Sequence, residues 1–137
     1  MKPSHRTRTG LGILAAGTLV FSGATRGQTS NAGPANGHTV TVRMTDDMKF
    51  IPEHPTVTAG DTVVWVNEGS LPHTATDRPG AAGVAEHNVV PDGAEPWDSG
   101  LMNKGDRFKL VLTVPGDYTY LCIFHEAAGM IGKLTVQ

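Results

Sequence analysis

Residues 118–134 read YTYLCIFHEAAGMIGKL, and this stretch carries the only cysteine of the 137-residue chain. Cys122, His125 and Met130 follow one another in the pattern Cys-x2-His-x4-Met. A thiolate, an imidazole and a thioether so close together form a soft donor set, which selects copper over the cations that prefer oxygen. One more imidazole would complete a His2Cys trigonal site with a weak axial methionine. His73, in SLPHTATD, is the best candidate.

The lone cysteine has other interpretations. It excludes an intramolecular disulfide, and a free thiol in an oxidising compartment is vulnerable unless it is buried or occupied. Metal coordination would explain its presence, whereas the alternative is a buried apolar cysteine without a role. Zinc could also occupy His2Cys with a fourth donor. A Cys-His nucleophile would need a base and an oxyanion site in a cleft, which an inward-facing strand end fits poorly.

The N-terminal segment has the layout of a secretory signal peptide. Lys2, Arg6 and Arg8 precede an apolar run at 11–21 and then the small residues Ser-Gly-Ala. We predict a signal peptide over residues 1–24, cleaved after Ala24; an uncleaved membrane anchor is the alternative. The apolar run is shorter than the ~20 residues that a spanning helix needs, so we expect no stable membrane span after processing.

Charge and composition define the rest of the chain. Residues 25–37 are rich in Gly, Ser, Asn and Thr without apolar periodicity, which predicts a flexible leader. Residues 38–137 are long enough for one domain, which we expect to be a monomer. Removing residues 1–24 leaves a net charge of −5. This balance argues against nucleic acid or an anionic membrane surface as partner, since both need a basic footprint.

Short strand patterns recur along this domain. Apolar residues alternate or cluster, as in half-buried or buried strands, in the segments 39–44, 62–67, 106–112, 118–122 and 131–136. Trp65 is predicted to lie in the core. Pro115 and Gly116 hold the two central positions of a type II turn. Seven or eight short strands and no long helix predict an all-β fold, a Greek-key β-sandwich.

The segment 77–93 interrupts this pattern. It contains several prolines and glycines and its apolar residues keep no period, which predicts a long surface loop with at most a short helical turn. Glu86 and His87 lie in it, but nothing at ligand spacing supports a second metal site there.

The cysteine loop resembles that of the cupredoxins, the small blue copper proteins, and its spacing is similar to the plastocyanin and pseudoazurin branches. Azurin and amicyanin loops are spaced differently. The resemblance extends upstream through FIPEHPTVTAGDTVVWVNEGSLPHTAT, which is similar to the family's strand, AGD turn, apolar strand and histidine-bearing segment. It therefore covers roughly residues 39–137.

This resemblance implies a site and an activity. One type 1 copper would be bound by His73, Cys122, His125 and Met130 at one end of the sandwich. The protein would be an exported electron carrier, periplasmic or extracellular, that cycles between Cu(I) and Cu(II) as it meets redox proteins. Many cupredoxins carry an asparagine after the first ligand; here it is Thr74, whose hydroxyl can make part of the connection between the ligand loops.

The resemblance also implies a docking surface around the edge of the His125 ring. The residues here that could form the apolar collar are Leu71, Pro72, Ala127, Ala128 and Gly129. A small, shallow apolar surface suits the brief docking of redox proteins.

Two other functions compete with electron transfer. A multicopper oxidase or nitrite reductase would need histidines beside the cysteine, where this chain has Leu121 and Ile123. A protein for copper delivery, storage or resistance would use the same four ligands without a redox partner. Methionine-rich or histidine-rich tracts would favour that function, and the sequence has none. An electron carrier, not an enzyme, is therefore the prediction.

Overall fold

The computed structural model describes residues 37–137, which form nine strands and two short 3-10 helices. The strands are β1 (Thr39–Met44), β2 (Phe50–Ile51), β3 (Thr56–Val57), β4 (Thr62–Asn67), β5 (Thr76–Asp77), β6 (Trp97–Asp98), β7 (Arg107–Val111), β8 (Gly116–Leu121) and β9 (Ile131–Val136). The helices cover Ala85–His87 and Glu126–Ala128. One sheet has the order β2-β1-β4-β7 and the other β3-β9-β8-β5-β6.

This architecture confirms the all-β sandwich. The longer strands β1, β4, β7, β8 and β9 lie where the sequence patterns predict them, within one or two residues. The count of nine exceeds the predicted seven or eight because β2, β3, β5 and β6 have only two residues each. Two residues are too few to show a period of two.

The core lies between the two sheets. Trp65, on β4, is fully buried as predicted, with its ring centroid 5.5 Å from that of Tyr120 on the opposite sheet and 5.8 Å from that of Trp97. Tyr118, Tyr120 and Cys122 share the buried face of β8 and the position that follows it. The alternation of β8 therefore carries the thiol into the interior.

The predicted type II turn is wrong. Gly116 has a φ of +143°, far from the value near +80° that this turn requires, and it is already the first residue of β8. The reason is that β7 and β8 belong to different sheets, so the chain crosses the sandwich here rather than folding back in a hairpin. The Tyr118 hydroxyl donates a hydrogen bond to the Val114 carbonyl (2.7 Å) across this crossing.

The segment 77–93 has more contact with the sheet than predicted. Asp77 ends β5 and is fully buried, and Val89 forms a β-bridge with Thr119 of β8. The remainder is irregular and contains the 3-10 helix Ala85–His87, which confirms the short helical turn.

The predicted signal peptide and almost all of the predicted leader lie outside the described residues. Between residues 37 and 137, neither helix has the length and apolar character needed to cross a membrane.

Candidate metal centre

The cysteine loop connects two antiparallel neighbours. Strands β8 and β9 pair up to Leu121 and Ile131, so residues 122–130 close a hairpin at one end of the sandwich. The Cys122 amide donates to the Met130 carbonyl (3.1 Å), and the Met130 amide donates to the His125 carbonyl (3.1 Å). These main-chain bonds fix the distance between the first and last predicted ligands of the loop.

A glycine allows this loop to close. The 3-10 helix Glu126–Ala128 ends at Gly129, which has a φ of +80°, in the left-handed region that favours glycine. The chain thereby reverses and returns Met130 to the interior, where its side chain is fully buried in the same apolar cluster as Cys122.

The loop that carries His73 is held by two polar side chains. The buried Asn67 amide donates to the carbonyls of Leu71 (2.8 Å) and Met102 (2.9 Å). The Asp46 carboxylate accepts from the amides of Ser70 and Leu71. His73 itself exchanges both main-chain hydrogen bonds with Met102 (3.1 and 2.8 Å). His73, the first predicted ligand, is therefore fixed through its own backbone.

Three donor atoms converge between the two loops. The Nδ1 atoms of His73 and His125 lie 3.2 Å apart, and Cys122 Sγ lies 3.9 Å from the first and 3.3 Å from the second. A point in the plane of these atoms lies about 2.0 Å from each of them, close to the bond lengths of imidazole and thiolate ligands to a metal. The donor set fits a mononuclear copper site.

The surroundings favour the ligating form of His73 and place a hydrogen-bond donor at the Cys122 sulfur. Burial lowers the pKa of His73, and the neighbouring His125 lowers it further. A neutral imidazole is the form that binds a metal. The Thr74 amide donates a hydrogen bond to Cys122 Sγ (3.3 Å), which stabilises negative charge on the sulfur.

Thr74 also makes a second connection between the loops. Its side-chain oxygen accepts a hydrogen bond from the Ile123 amide (3.0 Å). The hydroxyl thus lies where the resemblance implied that it could replace part of an asparagine.

The structure brings His73, Cys122 and His125 together, and it buries the predicted fourth ligand, Met130, in the adjoining core. The predicted collar residues are all exposed; they are Leu71, Pro72, Ala127, Ala128 and Gly129. The sequence interpretation did not include Phe124 and Leu101, which are 61% and 55% exposed beside His125 and Met102. Phe124 is next to the predicted ligand His125, and Leu101 is next to Met102, which bridges to His73. Their exposure at this end of the sandwich becomes visible only in the fold.

No second metal group accompanies this one in residues 37–137, where His73, Cys122 and His125 are the only such cluster. His87 contacts Glu126 (Nδ1 to Oε1, 2.9 Å). The Glu126 carboxylate also accepts from the amides of Gly83 (2.8 Å) and Val84 (3.0 Å). The long segment is thereby attached to the cysteine loop.

A β-sandwich that holds a Cys-His-His donor set between two loops at one end is the arrangement of a small copper protein. Residues 37–137 match the family described as copper binding proteins, plastocyanin/azurin family. The chain belongs to this family.

Similar proteins agree with this assignment. Chloroplastic plastocyanin of Chlamydomonas reinhardtii is 33% identical over 66% of this chain and 59% of its own length. Chloroplastic plastocyanin of Hordeum vulgare is 32% identical over 90% of this chain and 72% of its own. A purple cupredoxin from Nitrosopumilus maritimus has a TM-score of 0.58 at 25% identity, with 72% of this chain and 99% of that chain covered.

Proposed function

We propose that this chain is an exported type 1 copper protein that carries single electrons between redox proteins. The observation that carries the proposal is the convergence of two imidazole Nδ1 atoms and the Cys122 sulfur, with a peptide N–H directed at that sulfur. This combination is suited to one-electron exchange, since hydrogen bonding at the cysteine sulfur tunes the potential of such sites.

Copper would supply the Cu(I)/Cu(II) couple, and the residues supply fixed geometry and electrostatics. His73, Cys122 and His125 would hold it, and Met130 would be the fourth donor. Fixed loops mean little rearrangement on electron transfer. Main-chain bonds from Met102 to His73 and within the loop 122–130 support this rigidity.

Electrons would enter and leave at the His125 side. His125 is partly exposed, whereas His73 and Cys122 are fully buried. We propose that the exposed residues around it form the docking surface; they are Leu71, Pro72, Ala127, Ala128 and Gly129, joined by Phe124. Such small apolar surfaces give weak, short-lived complexes.

We propose a carrier and not an enzyme because Leu121 and Ile123 flank the cysteine, where a multicopper enzyme needs histidines. The export, the periplasmic or extracellular location and the monomeric state are proposed with it. Their support is the basic and then apolar N-terminal sequence and the negative charge of the remaining chain.

The test is the visible spectrum of the full-length chain with one equivalent of Cu(II), before and after reduction and reoxidation. We expect an intense blue band that bleaches on reduction, returns on reoxidation and is absent from Cys122→Ala. Stoichiometric Cu(II) binding with only a weak band would overturn the type 1 assignment and favour copper delivery or storage.

A methionine pair tests the proposed axial ligand. Met130→Leu keeps the apolar volume but removes the thioether, so we expect a changed reduction potential and band shape. Met44→Leu is the matched control, because Met44 is equally buried but lies in β1. Identical potentials for the two variants would exclude Met130 as a ligand.

A further inference from the structure

A line of polar side chains runs from the cysteine loop to the surface through the second sheet. Thr74 Oγ1 lies 3.0 Å from the Ile123 amide nitrogen and 3.1 Å from Thr76 Oγ1. Thr76 Oγ1 lies 3.0 Å from Asp98 Oδ1, and Arg78 Nε contacts the other carboxylate oxygen at 2.9 Å. Both threonines are almost fully buried, while Arg78 is exposed.

Each threonine hydroxyl has one proton to donate, and this fixes the direction of the hydrogen bonds in the line. Burial raises the pKa of Asp98, but hydrogen bonds from the Gly100 amide, Arg78 and Thr76 outweigh it, so the net pKa lies below its ordinary value. The ionised carboxylate only accepts, so the single Thr76 proton is directed to it. The Thr74 proton is then directed to Thr76. This leaves the Thr74 oxygen free to accept from the Ile123 amide.

Each hydroxyl in this line therefore donates outward and accepts from the copper-loop side. Hydrogen bonds arranged head to tail polarise and strengthen one another. The negative charge of Asp98 thus makes the Thr74 oxygen a better acceptor, although the two residues make no direct bond.

The line ends at Thr74, the residue that also contacts the Cys122 sulfur. Thr74 holds the Ile123 amide with its side chain and Cys122 Sγ with its own amide. Movement of Thr74 would alter both contacts together. A hydrogen bond to the sulfur withdraws electron density from it, which favours Cu(I) and raises the reduction potential.

We infer that Asp98 and Thr76 are positioning residues which, through Thr74, hold the two ligand loops together and raise the reduction potential of the site. This inference rests on the proposed function for its effect on potential. The hydrogen-bond line itself is independent of copper, and it can be measured in the metal-free chain.

The experiment replaces Thr76 with valine, which keeps the shape and the β-branch but removes the hydroxyl. We expect hydrogen exchange of the Ile123 amide to become about threefold to tenfold faster. NMR measures this exchange in the metal-free and Cu(I) forms. We expect the Cu(I)/Cu(II) equilibrium to shift toward Cu(II) by a similar factor, which is a fall of about 30–59 mV for one electron.

Two variants serve as controls. Thr76→Ser restores the hydroxyl, so it should recover both values. Thr135→Val removes another threonine-to-aspartate hydrogen bond, from Thr135 to Asp117 (2.7 Å), which joins β9 to β8 away from the ligands. It should leave Ile123 exchange and the potential unchanged, whereas a merely structural role for Thr76 would give the two valine variants the same effects.

Asp98→Asn tests the charged end of the line. Losing a negative charge raises the potential by itself, and breaking the line lowers it, so the single variant mixes two effects. The double-mutant cycle with Thr76→Val separates them, because only the charge effect remains when Thr76 has no hydroxyl. We expect Asp98→Asn to raise the potential more in the Thr76→Val background than in the wild type.

The outcomes are distinguishable. Two results together support the inference. Thr76→Val speeds Ile123 exchange and lowers the potential, and the effects of Thr76→Val and Asp98→Asn on the potential are not additive in the double mutant. Unchanged Ile123 exchange in the metal-free chain overturns it, and so does a fully additive cycle. Absence of the blue band would refute the proposed function and the effect on potential, while the exchange measurement still decides whether the line holds the loops. If Thr76→Val does not fold, Asp98→Asn must accelerate Ile123 exchange, or the inference fails.

Discussion

The inward and outward sides of the metal centre are held by different kinds of contact. On the inward side, Cys122 and Met130 are fully buried and their main chains belong to the hairpin that joins β8 and β9. On the outward side, Phe124 is largely exposed, and Glu126 accepts hydrogen bonds from a long segment of irregular structure. Donor geometry therefore depends on the sandwich, whereas the surface that a partner meets can vary independently.

The largest expected effect on stability comes from replacing a glycine with alanine on the inward side, compared with the same replacement on the outward side. A Cβ atom at Gly132, in β9, would lie 2.3 Å from the buried Tyr120 ring, whereas at Gly83 it would lie 3.4 Å from the nearest atom of Glu126. We expect Gly132→Ala to lower the free energy of unfolding by about 2–3 kcal/mol through overpacking. Gly83→Ala should be neutral or stabilising by about 0.5 kcal/mol.

Urea unfolding of the two metal-free variants measures this difference. Equal losses in both would mean that the outward segment is packed as tightly as the core. The contrast between the two sides would then be wrong.

The pH dependence of stability gives the next effect. Burial of Asp77 raises its pKa to about 7, although a hydrogen bond from Asn88 partly opposes this. Since the folded chain binds this proton more tightly than the unfolded chain, the free energy of unfolding should fall as pH rises from about 4 to about 7 and then level. The full pKa difference corresponds to roughly 4 kcal/mol, and relaxation around the charged carboxylate reduces this. We therefore expect Asp77→Asn to remove about 2 kcal/mol of the fall.

The measurement is the difference between wild-type and Asp77→Asn unfolding free energies from pH 4 to pH 8, which cancels the titration of the histidines. Asp92→Asn is the control, because Asp92 is exposed in the same segment. A parallel pair of profiles for wild type and Asp77→Asn would contradict the burial of an ionisable Asp77.

The two sides also differ in how far the sequence predicts them. Apolar alternation predicted strands such as β1 and β7, and β-branched and aromatic residues between turns predicted β4. The soft donor set predicted the chemistry of Cys122 and His125. Asp46 could not be found this way, since it reaches the amides of Ser70 and Leu71 across 24 and 25 residues. The Glu126 contacts span about 40 residues in a segment without periodicity.

The incorrect turn at Pro115 and Gly116 has a related cause. A Pro-Gly pair favours a type II turn locally, but whether the chain folds back or crosses to the other sheet depends on strand pairing. β7 pairs with β4, and β8 pairs with β9 and β5, so the crossing overrides the local preference. Tertiary pairing of this kind is not encoded in four residues.

A smaller effect is expected when the contacts between Glu126 and the segment 77–93 are removed. Glu126→Ala removes the acceptor for Gly83, Val84 and His87, so we expect the Gly83 and Val84 amides to exchange about tenfold faster. The blue band should keep its position. Glu86→Ala, an exposed neighbour in the 3-10 helix, is the control. A band shift in Glu126→Ala would show that the outward segment does influence the donor geometry.

The hydrogen bonds that join the segment 77–93 to the Glu126 carboxylate depend on pH. The Gly83 amide, His87 and the Val84 amide hold the pKa of Glu126 below its ordinary value. Its stabilising contribution is therefore present above the ordinary carboxylate range and is lost only as pH falls through the lowered pKa. Rapid exchange of Gly83 and Val84 at neutral pH would contradict this attachment.

The smallest structural effect is expected at Phe124, the most exposed of the large apolar residues in the described chain (61%). Because little of this ring is buried, Phe124→Ala should change the free energy of unfolding by less than about 0.5 kcal/mol. Docking is different: a partner that covers the ring gains about 1 kcal/mol, so its loss should slow electron self-exchange between two copies about fivefold.

NMR line broadening in mixtures of the Cu(I) and Cu(II) forms measures this rate without knowledge of the natural partner. Ile51→Ala is the matched control, since Ile51 is an exposed apolar residue of β2 that adjoins no ligand. A rate unchanged by Phe124→Ala would remove Phe124 from the docking surface. Equal slowing in both variants would mean that contact is nonspecific, because the proposed exit of the electron through the His125 edge requires the partner to cover that edge and not β2.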